Sequence, residues 1–335
     1  MKHIPYLDGW RGLAIVFLLI GHFFPVAGIN LGAVGVALFF VLSGSLMAQV
    51  LFVQRSGFGS FYRRRIARVM PSVGVYLATV TAVFVLTGNA IAWSELLSAL
   101  TFTNNYFVAA NWRMPFGHIW SLSVEEHAYV LLSLGAFWCR ARGGRELHAM
   151  AAILGAVLLA IAVYSLAPAG SAPGFSMRTE VASFGIFISA FLALGAVHTR
   201  CVLAKAWIAP AALAVGIAAH WWSVPAALRV LLGAGGLAVA IHALASAPRW
   251  LLAVLECSWL RTLGVHSFSL YLWQQPFYQL THHEGLSPVL GLLLSLLAGW
   301  IAFHLIEHPA RRYLNERWGA QARASFRPET AVTVR

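Results

Sequence analysis

Apolar runs separated by short polar loops recur along almost the whole chain. Each run holds about 17 to 22 residues, which is the length that a helix needs to cross a hydrocarbon core about 30 Å thick. We therefore predict an all-α fold, a polytopic membrane helix bundle of about ten transmembrane helices. The predicted spans are 10–28, 32–53, 70–88, 119–138, 149–167, 180–198, 204–221, 226–244, 264–282 and 287–306.

The stretch 91–117 breaks this pattern, because aromatic and amide side chains are interleaved in it. Backbone that does not form a spanning helix is tolerated at membrane depth only where protein or a water-filled cavity covers it. We interpret 91–117 as an interfacial or re-entrant segment that covers the membrane face of a site. The side chains behind this interpretation are Trp93, Phe102, Asn104, Asn105, Tyr106, Phe107, Asn111 and Trp112.

The distribution of basic residues predicts the orientation of the bundle. The chain of 335 residues is 60% hydrophobic and 10% charged, with a net charge of +12. If the spans alternate from a cytoplasmic N-terminus, most basic residues fall in cytoplasmic loops, among them Arg63, Arg64 and Arg140. The opposite loops hold little that is basic beyond Arg113 and Arg178. This asymmetry predicts cytoplasmic N- and C-termini and explains the positive charge without a nucleic-acid partner.

Several further patterns narrow the domain organisation and the functional class. We divide the chain into a transmembrane domain, 1–313, and a polar cytoplasmic tail, 314–335, expected to be disordered after Trp318. The N-terminus lacks a small-residue cleavage site, so we expect the first helix to be retained. Cys139, Cys201 and Cys257 have no metal-like spacing, and we expect neither a disulfide framework nor a metal site. Nucleophile-elbow and phosphate-loop motifs are absent from the sequence, which argues against hydrolases and NTPases.

The first span carries ionisable residues that are expensive to place in lipid. Arg11 and His22 are eleven residues apart, so a helix presents both on one face, about 16 Å apart along its axis. Asp8 lies three residues before Arg11 and can pair with it. A snorkelling arginine and a packing histidine would also fit, but their alignment favours a site. We expect Arg11 and His22 to line a single cavity.

The span at 119–138 opens on a second polar group. His118, Ser121 and Glu125 share one helix face, at offsets of three and seven residues. Glu125 and Glu126 are adjacent in the first turns of this span. The positive end of the helix dipole explains one acidic residue there better than two. We therefore include both glutamates among the candidate site residues.

Basic motifs flank other spans. The run 61–71 contains Arg63, Arg64, Arg65 and Arg68. These arginines either set the topology or form a phosphate clamp, because guanidinium groups bind phosphate with paired donors. The run 307–312 is interpreted as the anchoring end of the last helix.

Two further motifs concern packing and helix geometry. The small residues between Gly35 and Gly44 are typical of close helix packing in membranes. Gln274 and Gln275 precede Pro276 within a predicted span. This order predicts a kinked helix whose amides face a cavity.

Taken in order, these motifs resemble those of the acyltransferase-3 family of integral membrane O-acyltransferases. The segments that carry the resemblance are Leu7 to Ala14, Arg11 with His22 (Arg-x10-His), Gly35 to Gly44, Arg65 to Pro71, Trp120 to Glu126, Leu263 to Pro276 and Glu307 to Arg312. They cover the chain from about residue 4 to residue 313. Two positions depart from the family pattern: Gln274 stands where many members have histidine, and Ser45 replaces a common phenylalanine.

The resemblance implies a stand-alone enzyme with ten core spans in the bacterial cytoplasmic (inner) membrane, similar to O-antigen acetylases. It implies an acyl-coenzyme A co-substrate, with acetyl-CoA as the first expectation, and no permanently bound cofactor or metal. The implied acceptor is a hydroxyl of a glycan or lipid-linked glycan, such as O-antigen, capsule or exopolysaccharide.

In this interpretation His22 acts as general base, and Glu125 orients the imidazole or stabilises its charged form. The residues assigned to the donor phosphates are Arg11, Arg64, Arg65 and Arg68. The residues assigned to substrate binding are Asp8, His118, Ser121, Glu126 and Gln274. Direct transfer and an acyl-histidine intermediate both remain open.

Two rival functions remain for a bundle of this kind. Ten spans with buried ionisable residues would also suit a transporter or flippase for a lipid-linked sugar. A non-catalytic membrane scaffold has little reason to bury Arg, His and Glu on matched helix faces. Acyl transfer in isolated membranes separates the enzyme from both alternatives.

Overall fold

The computed structural model describes residues 3–107, 115–166, 174–199 and 205–324. Within these ranges the chain is helical, and the only paired extended residues are Ile29 and Trp221, which form an isolated bridge. The predicted all-α fold is therefore confirmed. Four residues used in the sequence analysis lie outside the described ranges, namely Asn111, Trp112, Arg113 and Cys201.

Sixteen α-helices are present in the described part of the chain. They are α1 (Pro5–Phe23), α2 (Leu31–Ala48), α3 (Phe58–Leu86), α4 (Trp93–Leu100), α5 (Trp120–Arg142), α6 (Glu146–Leu166), α7 (Thr179–Ala182), α8 (Phe184–Thr199), α9 (Ile208–Ala218), α10 (Ala226–Leu228), α11 (Gly235–Ala243), α12 (Arg249–Glu256), α13 (Ser258–Trp273), α14 (Gln275–His283), α15 (Pro288–Ala302) and α16 (His308–Ala324). Three π-helical turns extend or join these helices, at Gln49–Val53, Arg229–Ala234 and Phe303–Glu307.

Six stretches of helix in the described residues are long and apolar enough to cross a membrane. They are Leu31–Val53, Phe58–Leu86, Glu146–Leu166, Thr179–Val197, Ala226–Ser246 and Pro288–Gly319. Helix occupies part of each of the ten predicted spans, but α1, α5, α9 and α13 do not meet the same length and hydropathy criteria. The chain is a multi-pass helical membrane protein. The tenfold crossing and the cytoplasmic termini stay predictions.

Glycines allow α1 to approach its neighbours closely on two sides. A Cβ at Gly264 of α13 would lie 1.8 Å from the Asp8 carbonyl oxygen of α1. A Cβ at Gly35 of α2 would lie 2.5 Å from the Ala14 carbonyl oxygen. Gly44, at the other end of α2, meets the backbone of α8 at 2.0 Å in the same way. Because small residues permit such backbone approach, the predicted packing role of the small residues in α2 is confirmed.

Helices α1 and α13 run in the same direction. Gly12 lies against Leu260 near their first turns, and His22 contacts Gln274 where both helices end. Arg11 lies toward the start of α1, at one end of the bundle, and His22 lies where α1 finishes, at the other end.

The segment predicted to be interfacial contains α4 and a short 3-10 turn, Asn104–Tyr106. Asn104 is fully buried, and its Nδ2 donates to the Phe116 carbonyl oxygen at 2.8 Å. Asn105 Nδ2 donates to Thr179 Oγ1 at 3.0 Å. Asn104 thus holds the segment that precedes α5 and carries His118, and Asn105 ties the same 3-10 turn to α7.

The C-terminal helix differs from the sequence prediction in two respects. Helix α16 continues to Ala324, so part of the tail predicted to be disordered after Trp318 is helical. Glu307 is buried rather than a simple anchoring charge, and it accepts a hydrogen bond from Ser269 Oγ at 2.6 Å. This bond joins the π-helical turn before α16 to α13.

Candidate active site

Two open cavities lie along α1, one toward each end of the bundle. The first cavity is lined by Arg11, Arg65 and Arg68 together with Ser43 and Glu125. The second cavity is lined by His22 and His118 and by side chains of α14. The expectation that Arg11 and His22 line a single cavity is therefore corrected.

A narrow wall separates the two cavities. Val36, Phe40 and Tyr271 line both of them. The Tyr271 hydroxyl donates to the His118 carbonyl oxygen and lies 2.7 Å from the Ser121 hydroxyl. Ser121 and Glu125 line the first cavity from α5, whereas His118 lies in the 3-10 turn Gly117–Ile119 before this helix and lines the second cavity.

The predicted donor arginines have different surroundings. Arg11 Nη1 lies 3.1 Å from Asp8 Oδ1, as the spacing predicts. Arg68 lines the first cavity, and no carboxylate of the described residues lies within 4.0 Å of it. Arg64 is exposed and does not line the first cavity, which corrects its assignment to the donor site. Arg65 and Arg68 are three residues apart on α3, so their side chains lie on one face of the helix. The Arg64 side chain projects from a different face.

Arg65 forms the centre of a buried ionic cluster. Its Nη2 donates to Glu125 Oε2 at 3.0 Å, and its Nε donates to Glu126 Oε1 at 2.8 Å. The guanidinium also lies over the Tyr129 ring, 4.0 Å from the centroid. Ser43 Oγ donates to Glu125 Oε1 at 2.6 Å. The cluster joins α2, α3 and α5, and Ser43, Arg65 and Glu125 all line the first cavity.

The predicted relation between Glu125 and His22 is not found. The hydrogen bonds of Glu125 in the described residues connect it to Ser43 and Arg65. The partner of His22 Nδ1 is instead Gln274 Oε1, at 2.9 Å. The side chain that holds the His22 imidazole is therefore Gln274 and not Glu125, and a role of Glu125 in the reaction stays a prediction. Glu126 likewise contacts Arg65 and does not line either cavity.

The surroundings of His22 favour one tautomer. Gln274 is fully buried, and its Oε1 accepts from Nδ1–H, so Nε2 carries the lone pair. The imidazole lies against the Tyr278 ring, with centroids 4.6 Å apart. A Cβ at Gly32 would lie 3.4 Å from Nε2, so glycine leaves this edge of the ring uncrowded. An unprotonated Nε2 that borders a cavity is the arrangement a general base requires.

Replacing Gln274 with Leu should lower kcat for acyl transfer by about 10- to 100-fold, because a buried imidazole N–H loses its partner. The Michaelis constant for the donor should stay unchanged, since Gln274 does not line the first cavity. Gln274→His should recover part of the rate, because a ring nitrogen can accept the same hydrogen bond. Initial rates at equal membrane protein content measure this, and a rate unchanged by Gln274→Leu would contradict the orienting role.

His118 is a buried polar residue without a side-chain partner. Neither of its ring nitrogens has a hydrogen-bond partner in the described residues, and the side chain is 6% exposed. It lies between Tyr76 and Tyr271, at ring-centroid distances of 5.3 and 5.5 Å. His118 lines the second cavity, but both ring nitrogens are buried. The prediction that it binds substrate remains a prediction.

Several site residues were not singled out from the sequence. Ser43 holds Glu125, Tyr271 forms part of the wall, and Arg229 lines the second cavity. Arg229 was counted within the apolar span 226–244, although an arginine inside a predicted span is itself a signal for a site. Ser43 and Tyr271 carry no such signal, because hydroxyl groups are common in membrane helices.

The comparisons with known proteins agree with these motifs. A family model described as an acyltransferase domain, acyltransferase-3, matches residues 4–306. O-acetyltransferase OatA of Staphylococcus aureus is 26% identical over 372 residues, or 93% of this chain and 58% of the relative. A Bacillus subtilis protein provisionally named peptidoglycan O-acetyltransferase YrhL is 26% identical over 356 residues, or 92% and 55%. A second S. aureus protein, provisionally named an O-acetyltransferase, is 33% identical over 146 residues, or 39% and 24%.

The chain therefore spans less than two thirds of the length of these curated relatives. No solved structure matches it. The family match runs from the first residues of α1 into the π-helical turn that contains Glu307. The chain belongs to the acyltransferase-3 family of membrane acyltransferases.

Proposed function

We propose that this protein is a membrane O-acyltransferase that moves an acyl group, most simply acetyl, from acyl-CoA to a hydroxyl of a cell-surface glycan. The observation that carries the proposal is the pair of adjoining cavities, one with arginines and one with a histidine base. The names of the relatives support acetyl as the group and peptidoglycan as one acceptor class. O-antigen, capsule and exopolysaccharide are further acceptors of the same chemistry. We assign the protein to the cytoplasmic membrane of a bacterium.

The first cavity suits the donor. Arg68 has no carboxylate partner in the described residues, so its guanidinium is available for a phosphate. Arg11 lines the same cavity, and its Nη1 forms an ion pair with Asp8. Arg65 is already held by two carboxylates, and we assign it to positioning the cavity wall. The thioester would then have to pass Tyr271 and its neighbours to meet His22.

The proposed reaction uses His22 as the base. Nε2 takes the proton from the acceptor hydroxyl while the oxygen attacks the thioester carbonyl carbon. A C–O bond forms, the C–S bond breaks, and the proton passes from His22 to the departing sulfur, which gives an ester and free coenzyme A. An acyl-His22 intermediate would use the same nitrogen as nucleophile. Rapid quenching with labelled acetyl-CoA, followed by mass spectrometry of the protein, distinguishes the two routes.

The test of this function is transfer of labelled acetyl from acetyl-CoA to glycan in membranes that contain the protein. Mass spectrometry of the glycan should show an added acetyl group only when protein and donor are both present. Movement of an unmodified lipid-linked sugar across the bilayer, with no acetylation, would instead support the transporter. Failure of acetyl-CoA together with success of another acyl donor would overturn the donor assignment alone.

Replacing Arg68 with Gln should raise the KM for acetyl-CoA by about 10- to 100-fold, because a charge-assisted bond to phosphate is lost. Arg64→Gln is the matched control, since it removes a nearby positive charge that lies outside the first cavity. Initial rates across a range of donor concentrations measure both constants. A KM for Arg68→Gln equal to that of the wild type would remove Arg68 from donor binding, and an equal rise in both variants would show only an effect of net charge.

A further inference from the structure

The second cavity has an unusual set of ionisable residues. Apart from two tyrosines, which are neutral at physiological pH, those that line it are His22, His118, His220, His282, His283 and Arg229. No aspartate or glutamate is among the described side chains that line it. Every charge that these residues can carry is therefore positive, and Arg229 carries one at any physiological pH.

Arg229 has no ionic partner among the described residues. No carboxylate of these residues lies within 4.0 Å of its guanidinium, whereas Arg11 and Arg178 each have one and Arg65 has two. Its guanidinium carbon lies over the Trp222 ring, 5.1 Å from the ring centroid. Both side chains line the second cavity. The guanidinium edge is thus left without an acceptor while its flat face is stacked.

Arg229 is the fourth residue of the apolar stretch Ala226–Ser246, which is long enough to span a membrane, and it is partly exposed. An arginine so close to the end of a span can reach the membrane surface, so this position alone does not indicate a ligand. Its place in the lining of the second cavity does. Arg229 also begins a π-helical turn, Arg229–Ala234, and turns of this kind are frequent at functional sites. These features favour a ligand-binding role over simple anchoring.

We propose that the second cavity binds an acceptor saccharide that carries an anionic group, either a carboxylate or a phosphate, and that Arg229 recognises this group. The proposal rests on the proposed function, because it places the acceptor hydroxyl at His22. Guanidinium binds planar carboxylates and phosphates with two parallel donors, so Arg229 selects charge and fixes orientation. The amides of Asn30 and Gln279, and the rings of Trp222 and Tyr278, supply neutral surfaces for the sugar.

A binding measurement tests this recognition without any acyl transfer. Three disaccharides of one linkage serve as probes: one ends in glucuronate, one in glucose 6-phosphate and one in glucose. Affinities are measured by equilibrium dialysis on the full chain in detergent micelles. The wild type should bind at least one anionic probe about 10- to 100-fold more tightly than the neutral one. Preference for glucuronate over the phosphate identifies the carboxylate as the natural group, and the reverse preference identifies the phosphate.

Arg229→Gln should remove this preference, and Arg229→Lys should keep part of it, because lysine retains the charge but not the paired donors. Arg249→Gln is the control, since Arg249 is exposed and lines neither cavity. Equal binding of charged and neutral probes by the wild type would overturn the proposal, and so would weak binding of all three. A preference that survives Arg229→Gln would move recognition to another residue and would equally overturn it.

Acetyl transfer to the same probes separates failure of this inference from failure of the proposed function. If the wild type acetylates neutral and anionic disaccharides equally well, the enzyme activity stands and the role of Arg229 falls. If the anionic probe binds but no probe is acetylated, charge recognition stands and the acyltransferase proposal falls. In the expected result, Arg229→Gln lowers kcat/KM for the anionic probe alone, by about 10- to 100-fold.

Discussion

Replacing His22 with Ala should lower acyl transfer by about 10²- to 10⁴-fold, the usual contribution of a positioned general base. His22 lies at the end of α1, with Nδ1 held by Gln274 and Nε2 at the edge of the second cavity. Removing the imidazole takes away the proton acceptor and leaves the arginines of the first cavity in place. The kcat should therefore fall while the KM for acetyl-CoA stays close to that of the wild type.

The matched control for His22→Ala is His304→Ala. His304 is an exposed histidine outside both cavities, and it packs against Trp300. Initial rates with labelled acetyl-CoA, at equal amounts of protein in the membrane fraction, compare the two variants. Wild-type activity in His22→Ala would remove the imidazole from the reaction. Loss of the protein from the membrane would show that His22 acts in folding, and Gln274→Leu would then decide whether its hydrogen bond matters for the rate.

Replacing Arg65 with Gln should destabilise the folded protein by about 3–5 kcal/mol, the usual cost of removing one partner from a buried ion pair. The Arg65 side chain is 13% exposed, and the side chains of Glu125 and Glu126 are 14% and 21% exposed. Without the guanidinium, two adjacent carboxylates would remain buried with one serine hydroxyl as compensation. Thermal unfolding in detergent micelles, followed by loss of the monodisperse protein, measures the change.

A rescue variant makes this second prediction specific. Changing Arg65, Glu125 and Glu126 together to Gln removes all three charges, so most of the lost stability should return. Arg63→Gln, which alters an exposed arginine of the same helix, should leave the midpoint of unfolding unchanged. An Arg65→Gln protein as stable as the wild type would show that the cluster contributes little to the fold. Failure of the triple variant to recover would mean that packing on Tyr129, rather than charge, provides the stability.

The helical fold and several of the residues that line the two cavities could be predicted from the sequence, because both depend on local patterns. Apolar run lengths located the long helices, and the eleven-residue spacing placed Arg11 and His22 along one face of α1. The same periodicity distinguishes Arg65 and Arg68 from Arg64, whose side chain points away from the first cavity. That distinction was available from the sequence alone once α3 was known to begin before the arginines.

The partners of the site residues could not be predicted in the same way. Glu125 and Gln274 are both polar and lie in spans that contribute to the site, so either could orient the imidazole on sequence grounds. The choice depends on which helix lies beside the end of α1. It is settled by the close parallel packing of α1 and α13, which brings Gln274 to His22. Such distances between helices leave no trace in the periodicity of either one.

The glycine contacts of α1 have a consequence for the size of the transferred group. Because α1 meets the backbone of α13 at Gly264 and packs closely on α2 at Gly35, moving these helices apart would lose the close packing between them. Any passage between the cavities must then open by rotation of side chains, chiefly Phe40 and Tyr271. An opening between two aromatic side chains admits a two-carbon acyl group far more easily than a long fatty acyl chain. Enlarging it with Phe40→Ala should widen the range of acyl lengths that the protein accepts.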